Sequence, residues 1–169
     1  PFNATGQRVL VVDDNKINLK VAEKLLSDYK LSIDLVDTGR ECINKIISGE
    51  KYDLILLDIM MPKMKGSEVL KNLKAQVGFN IPVVALTADV ISGMEERYIE
   101  QGFDDCLPKP IVEEELFYLL KKYLKEVTEE GLLEHNYTSI ETPVEVVSSV
   151  VKEVVEPVPE EEIELPKLS

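Results

Sequence analysis

The feature of this sequence that most constrains its fold is a set of short, continuous apolar segments, each ending at a polar residue. These segments are residues 9–12 before Asp13, residues 54–57 before Asp58, and residues 83–86 before Thr87. Because neighbouring side chains of a strand point to opposite faces, a continuous apolar segment indicates a strand that is buried on both faces. Strands of this kind are typical of a parallel sheet that is covered by helices.

Between these segments, apolar residues recur at the three- and four-residue spacing of amphipathic helices. The positions are Ile17, Val21 and Leu25 with Ala22 and Leu26; Ile43, Ile46 and Ile47; Val69, Leu70 and Leu73; Met94 and Tyr98; and Leu116, Leu119, Leu120 and Tyr123. Weaker strands are expected at residues 32–36 and 105–107. The alternation predicts an α/β fold, a doubly wound five-stranded parallel sheet with helices on both faces.

The charge of the chain divides it into two parts. Its 169 residues have a formal net charge of −13, and residues 127–169 hold 11 acidic but 2 basic side chains. This segment is rich in Val, Glu and Pro, and it offers too little apolar surface to offset the entropy of ordering. We therefore expect a linker at residues 1–7, a globular domain at residues 8–125 and a disordered acidic tail at residues 126–169.

Composition also argues against several classes of function. An acidic chain without a Lys/Arg-rich run does not predict direct binding to nucleic acid, whose affinity depends on neutralising phosphates. No apolar run approaches the roughly 18 residues that span a bilayer, so we expect no membrane insertion and a cytoplasmic location. Cys42 and Cys106 lack the spacing of a zinc site or of a disulfide framework.

Polar residues with complementary chemistry are expected to meet at one edge of the sheet. Asp13 and Asp14 follow the first strand, Asp58 and Thr87 follow two others, and Lys109 follows the last. Carboxylates that lie together repel one another unless a cation lies among them, and oxygen ligands with free water positions suit Mg²⁺. Because Mg²⁺ bridges carboxylates to phosphate oxygens, the arrangement predicts phosphoryl transfer, with a carboxylate as the nucleophile.

Four stretches of the sequence resemble the receiver domain of two-component response regulators. They are VVDDNKIN, LILLDIMMPKMKG, PVVALTAD and GFDDCLPKPI, which occur in the family's order and spacing over residues 8–125. The resemblance implies a flavodoxin-like strand order, 2-1-3-4-5. It also implies transfer from a phosphohistidine of a histidine kinase or phosphotransfer domain, weak self-phosphatase activity, and a surface that switches for signal output. The strings are most similar to receivers of hybrid histidine kinases.

The resemblance assigns roles to individual residues. It implies that Asp58 is the phosphoacceptor and that Thr87 and Lys109 contact the phosphoryl group. The implied metal ligands are Asp13 through a water, Asp14, Asp58 and the backbone carbonyl of Met60. A cis peptide bond is implied between Lys109 and Pro110.

One position departs from the family's pattern. Receivers usually carry Tyr or Phe three residues before the lysine, where this chain has Cys106. Because cysteine is smaller, we expect space beside Thr87 and a switch that works without a buried aromatic side chain, through residues 88–92 and the following helix.

Other functions remain open from the sequence. The chain could be a stand-alone, single-domain response regulator. A phosphohydrolase of the haloacid-dehalogenase type also uses an aspartyl nucleophile, Mg²⁺, Thr and Lys, but its signature is Asp-x-Asp, whereas Asp13 and Asp14 are adjacent. An inert scaffold of the receiver type is disfavoured because all the expected site residues are present.

Overall fold

A computed structural model describes residues 2–89 and 92–128, and in this part of the chain five strands alternate with five helices. The strands are β1 (Arg8–Val12), β2 (Ser32–Val36), β3 (Leu54–Asp58), β4 (Val83–Thr87) and β5 (Asp105–Pro108). The helices are α1 (Lys16–Ser27), α2 (Gly39–Ile47), α3 (Gly66–Lys74), α4 (Met94–Gln101) and α5 (Glu113–Tyr123). The predicted alternation of strands and helices is confirmed.

The strands form one sheet in the order β2-β1-β3-β4-β5, and every neighbouring pair is parallel. This is the doubly wound, flavodoxin-like order that the resemblance implied. The order reverses between β1 and β3, which lie side by side although β2 comes between them in the chain. Ligands of open α/β sheets bind at such a reversal, beyond the carboxyl ends of the strands.

The two faces of the sheet carry separate apolar cores. In β3, Leu54 and Leu56 pack with α1 and α5 on one face, whereas Ile55 and Leu57 pack with α2, α3 and α4 on the other. Every residue of β3 and of β4 is buried. The continuous apolar segments of the sequence therefore arise because alternate side chains enter different cores.

Helix α1 has a narrower buried face than its apolar pattern predicts. Leu19, Ala22 and Leu26 are its buried residues, whereas Ile17 is 73% exposed and Val21 is 42% exposed. The buried residues and the exposed pair both follow three- or four-residue spacing. The spacing alone therefore does not show which of the two groups faces the sheet. Two apolar side chains of α1 are thus left on the surface.

The segment before β1 belongs to the compact body. Phe2 and Ala4 are buried in the same core as α1 and α5, and the Ala4 N–H donates to the Tyr29 carbonyl at 2.8 Å. The Gln7 side chain also donates to the Lys125 carbonyl at 2.6 Å. The segment of residues 2–7, which we expected to be linker, therefore packs on the domain through Phe2 and Ala4. These two apolar residues are isolated among polar residues, so the sequence pattern did not indicate their burial.

The acidic tail expected at residues 126–169 lies outside the described residues from residue 129 onward. In the described ranges, 2–89 and 92–128, no helix combines the length and the apolar character needed to cross a bilayer.

Candidate functional site

The strand ends gather the expected polar residues at one edge of the sheet. Asp13 and Asp14 follow β1, Asp58 is the last residue of β3, Thr87 is the last residue of β4, and Lys109 follows β5. One carboxylate oxygen from each of the three aspartates lies within 4.8 Å of the others. The parallel strands therefore bring together residues that lie almost 100 positions apart in the sequence.

Lys109 joins the carboxylates at this edge. Its Nζ atom donates to Asp58 Oδ1 at 2.8 Å and lies 3.7 Å from Asp13 Oδ2. The peptide bond between Lys109 and Pro110 is cis, as the resemblance implied. A charge-assisted hydrogen bond of this length fixes the lysine ammonium beside the carboxylate of Asp58.

The Asp58 carboxyl lies in an environment that disfavours its charge. Its side chain is 2% exposed. Burial, followed by repulsion from Asp13, raises the pKa of Asp58 from 3.8 to about 6, against the opposing effect of Lys109 and of the Met60 N–H. The Met60 N–H donates to Asp58 Oδ1 at 3.2 Å, so the chain makes a local turn beside the carboxylate directly after β3.

The aspartates at this edge offer oxygen atoms that fit a divalent cation. Asp13 Oδ1 accepts the Asn15 N–H at 2.9 Å, but Asp13 Oδ2 is buried without a hydrogen-bond partner among the described residues. An unsatisfied buried carboxylate oxygen is costly, and a cation would satisfy it. Asp14 is exposed and can leave coordination positions to water, as Mg²⁺ requires.

Gly66 permits the close approach of α3 to the end of β3. A Cβ atom at this position would lie 2.6 Å from the Asp58 carbonyl oxygen and 2.9 Å from the Ile59 Cα. The Gly66 N–H donates to the Ile59 carbonyl at 2.9 Å. The sequence marked this glycine as a turn, and the structure shows that it also sets the path of the backbone beside the site.

Thr87 lies at this edge with its hydroxyl engaged elsewhere. Thr87 Oγ1 accepts the Asp89 N–H at 2.9 Å and lies 3.1 Å from the hydroxyl oxygen of Tyr98, which comes from α4. Tyr98 is 5% exposed. We expected space beside Thr87 because position 106 carries a cysteine, and a cleft lined by Thr87 and Cys106 is present. A buried aromatic ring nevertheless contacts Thr87, and it comes from α4 and not from β5.

The spacing of Met94 and Tyr98 in the sequence indicates only that Tyr98 lies on the buried face of a helix. Helical spacing shows that a residue faces the core but not which strand end it reaches. The sequence contains a weak signal: Cys106 stands where receivers usually carry an aromatic residue, while the buried face of the preceding helix carries Tyr98. Cys106 is half-buried and packs against the same core as Tyr98.

Comparison with known protein families gives a match to the response regulator receiver domain over residues 9–121. Among curated proteins, the signal transduction histidine-protein kinase BarA of Escherichia coli strain K12 is 39% identical over 118 residues. The match covers 68% of this chain and 12% of BarA. The curated relatives are much longer proteins, of which the chain spans between 7% and 14%.

Two solved structures illustrate the structural likeness. The receiver domain of the sensor histidine kinase PA1611 from Pseudomonas aeruginosa PAO1, which has a magnesium ion in its active site cleft, is 31% identical with a TM-score of 0.63; the match covers 70% of this chain and 98% of that one. The Ssk1 receiver domain in complex with the phosphotransfer protein Ypd1 from Saccharomyces cerevisiae was also matched. Here the identity is 26%, the TM-score is 0.63, and the match covers 73% and 90% of the chains.

Proposed function

Since this chain belongs to the response regulator receiver domain family, we propose that Asp58 accepts a phosphoryl group in an Mg²⁺-dependent reaction. The chain is a receiver domain of a two-component phosphorelay and is homologous to the receivers of hybrid histidine kinases. The observation that carries the assignment to Asp58 is its contact with Lys109 at 2.8 Å, beside a second buried carboxylate.

In the proposed reaction, an oxygen of the Asp58 carboxylate attacks the phosphorus of a phosphohistidine. A P–O bond forms and the P–N bond breaks, and the imidazole leaves with the electron pair and takes up a proton. The product is an acyl phosphate on Asp58. The Lys109 ammonium, already beside this carboxylate, is placed to hold a phosphoryl oxygen and to balance its charge.

The metal in this proposal would be held by Asp13, Asp14, Asp58 and the Met60 carbonyl. Bound Mg²⁺ would neutralise the carboxylates and the phosphoryl oxygens. The hydrogen bond from the Asn15 N–H to Asp13 Oδ1 would orient this side chain. Asp13 Oδ2, which has no hydrogen-bond partner among the described residues, would hold the cation through a water, as the resemblance implies. The magnesium in the cleft of the PA1611 receiver supports this assignment.

The proposed roles of Thr87 and of water concern the phosphoryl group on Asp58, which Thr87 would bind and hydrolysis would remove. In the proposal the Thr87 hydroxyl donates to a phosphoryl oxygen, for which it must turn from its present contacts. Attack of water on phosphorus then breaks the new P–O bond and releases inorganic phosphate, which returns Asp58 to a carboxylate. This slow reaction is the weak self-phosphatase activity expected from the resemblance.

The phosphodonor is proposed to be a histidine kinase or a histidine phosphotransfer domain. The Ssk1 receiver forms a complex with such a protein, Ypd1. Here, Val21 of α1 lines a cleft together with Asp13, Lys109 and Pro110, and Ile17 is exposed one turn earlier on the helix. We infer that these apolar side chains of α1, of which Val21 lines the cleft with Asp13 and Lys109, form a docking surface for the donor.

We propose that the receiver domain comprises residues 8–125 and that residues 2–7 pack on it through Phe2 and Ala4.

Incubation with acetyl phosphate and Mg²⁺, followed by intact mass measurement, tests the proposal. Wild type should gain the mass of one phosphoryl group, EDTA should prevent the gain, and Asp58→Asn should show none. The matched control is Asp37→Asn, since Asp37 follows β2 at the same edge of the sheet; it should be labelled like wild type. Full labelling of Asp58→Asn would place the acceptor elsewhere.

A further inference from the structure

The hydroxyl groups of Tyr98 and Thr87 form a buried contact between a helix and the candidate site. Their oxygen atoms lie 3.1 Å apart, and each residue is 5% exposed. Tyr98 is the buried residue of α4, and its ring packs edge-on against Phe103 with ring centroids 6.2 Å apart. The Tyr98 side chain therefore links α4 to the end of β4 that carries Thr87.

This contact competes with the role proposed for Thr87. Among the described residues, Thr87 Oγ1 hydrogen-bonds with Asp89 and Tyr98, and not with the Asp58 carboxylate. To donate to a phosphoryl group on Asp58, the Thr87 hydroxyl must turn towards β3. The Tyr98 hydroxyl would then lose its partner while still buried, which is unfavourable for a polar group.

Two features favour movement of α4 when the Tyr98 hydroxyl loses its hydrogen-bond partner. It spans 8 residues, and its N-cap is Gly93, which provides no side-chain cap. A cleft of about 320 Å³ lies beside the Tyr98 ring and is lined in part by Gly93, Cys106 and Pro108. The small side chain of Cys106 leaves room there, so Tyr98 can reach water without displacing a bulky neighbour.

We propose that Tyr98 is a positioning residue, which holds Thr87 away from Asp58 in the unphosphorylated protein and carries the change to α4 when Thr87 turns. This inference rests on the proposed phosphorylation of Asp58 for its second half, while its first half concerns the unphosphorylated protein alone. The α4 side chain takes the place that the resemblance would give to an aromatic residue at position 106. The switch is a two-state element that the phosphoryl group biases.

The first test uses no phosphodonor. Amide hydrogen exchange of residues 94–101 is measured in wild type, Tyr98→Phe, Thr87→Val and the double variant. Loss of one hydrogen bond should raise exchange of α4 in Tyr98→Phe by about threefold to tenfold. The same change should have little further effect when Thr87 is already Val, since the partner is gone. Equal effects in both backgrounds would overturn the proposal.

A matched control separates the hydrogen bond from the general effect of removing a buried hydroxyl. Tyr29 is also 5% exposed but lies in the core on the other face of the sheet. Tyr29→Phe should leave the exchange of α4 unchanged. A similar increase in Tyr29→Phe and Tyr98→Phe would overturn the proposal.

The second test adds acetyl phosphate and Mg²⁺. Tyr98→Phe should be phosphorylated about threefold to tenfold faster than wild type, because Thr87 is no longer held away, whereas a purely structural role would slow the reaction. Phosphorylation should raise α4 exchange in wild type but much less in Tyr98→Phe. If both proteins gain the phosphoryl mass and α4 responds equally, Tyr98 is not the link. If neither gains it, the proposed function fails, and the first test still decides whether Tyr98 holds Thr87.

Discussion

Replacing Asp58 by Asn should stabilise the metal-free protein, and the gain should depend on pH. Burial and Asp13 raise the pKa of Asp58 from 3.8 to about 6, so the folded state binds its proton more tightly than the unfolded state does. The folded state therefore loses stability as pH rises from about 4 to about 6, and the loss is complete above that range. A pKa difference of about 2 units corresponds to about 3 kcal/mol.

The neutral amide of Asn avoids this penalty. We expect Asp58→Asn to exceed wild type by up to about 3 kcal/mol at pH 7.5 in EDTA, and by about half as much at pH 5. For a domain of this size, 3 kcal/mol corresponds to an increase in Tm of about 10 °C. The Lys109 ammonium keeps a carboxylate neighbour in the variant, because Asp13 lies 3.7 Å away.

Thermal unfolding followed by circular dichroism at the two pH values measures this difference. The control is Asp28→Asn, which changes an exposed carboxylate at the end of α1 and should alter stability by less than about 0.5 kcal/mol. Added Mg²⁺ should reduce the gap at pH 7.5, since the cation stabilises wild type more. A gain that is absent, or equal at both pH values, would refute the electrostatic reasoning.

Three further outcomes are expected. Asp14→Ala should reduce the increase in Tm that Mg²⁺ produces in wild type, and an unchanged increase in a titration would show that the metal lies elsewhere. Gly66→Ala should destabilise the domain by about 1–3 kcal/mol in denaturant unfolding and slow phosphorylation, because its Cβ would meet the Asp58 carbonyl oxygen at 2.6 Å; wild-type values for both would contradict the close approach. Deletion of residues 127–169 should leave Tm and phosphorylation nearly unchanged, and a large drop in Tm would show that the tail packs on the domain.

Much of the fold follows from the pattern of apolar residues, because strands buried on both faces carry a signal that lies within each segment. The polar residue that ends each segment gives the position of the site as well. Asp58 is an example: it closes β3, where an apolar side chain would be expected if the strand continued in the core. The sequence alone therefore predicted that the Asp58 carboxyl lies at the end of a buried strand, where the structure has it.

The features that sequence could not provide depend on distances between segments. The exposure of Ile17 follows from the rotation of α1 on the sheet, which helical spacing leaves open. The contact of Tyr98 with Thr87 depends on how α4 crosses the end of β4. The burial of Phe2 depends on the space between α1 and α5, which is known only once both helices are in place.

The pairing of Gln7 with Lys125 bears on how such a domain can be joined to other polypeptide. The Gln7 side chain donates to the Lys125 carbonyl, and the Lys125 N–H donates back at 2.8 Å, so the first and last segments of the domain meet. Gln7 precedes the amino end of β1, whereas Asp13 follows its carboxyl end. The segments that precede β1 and follow α5 thus meet at the end of β1 opposite to Asp13. Insertion there would leave the reactive edge open to a donor from the same or another molecule.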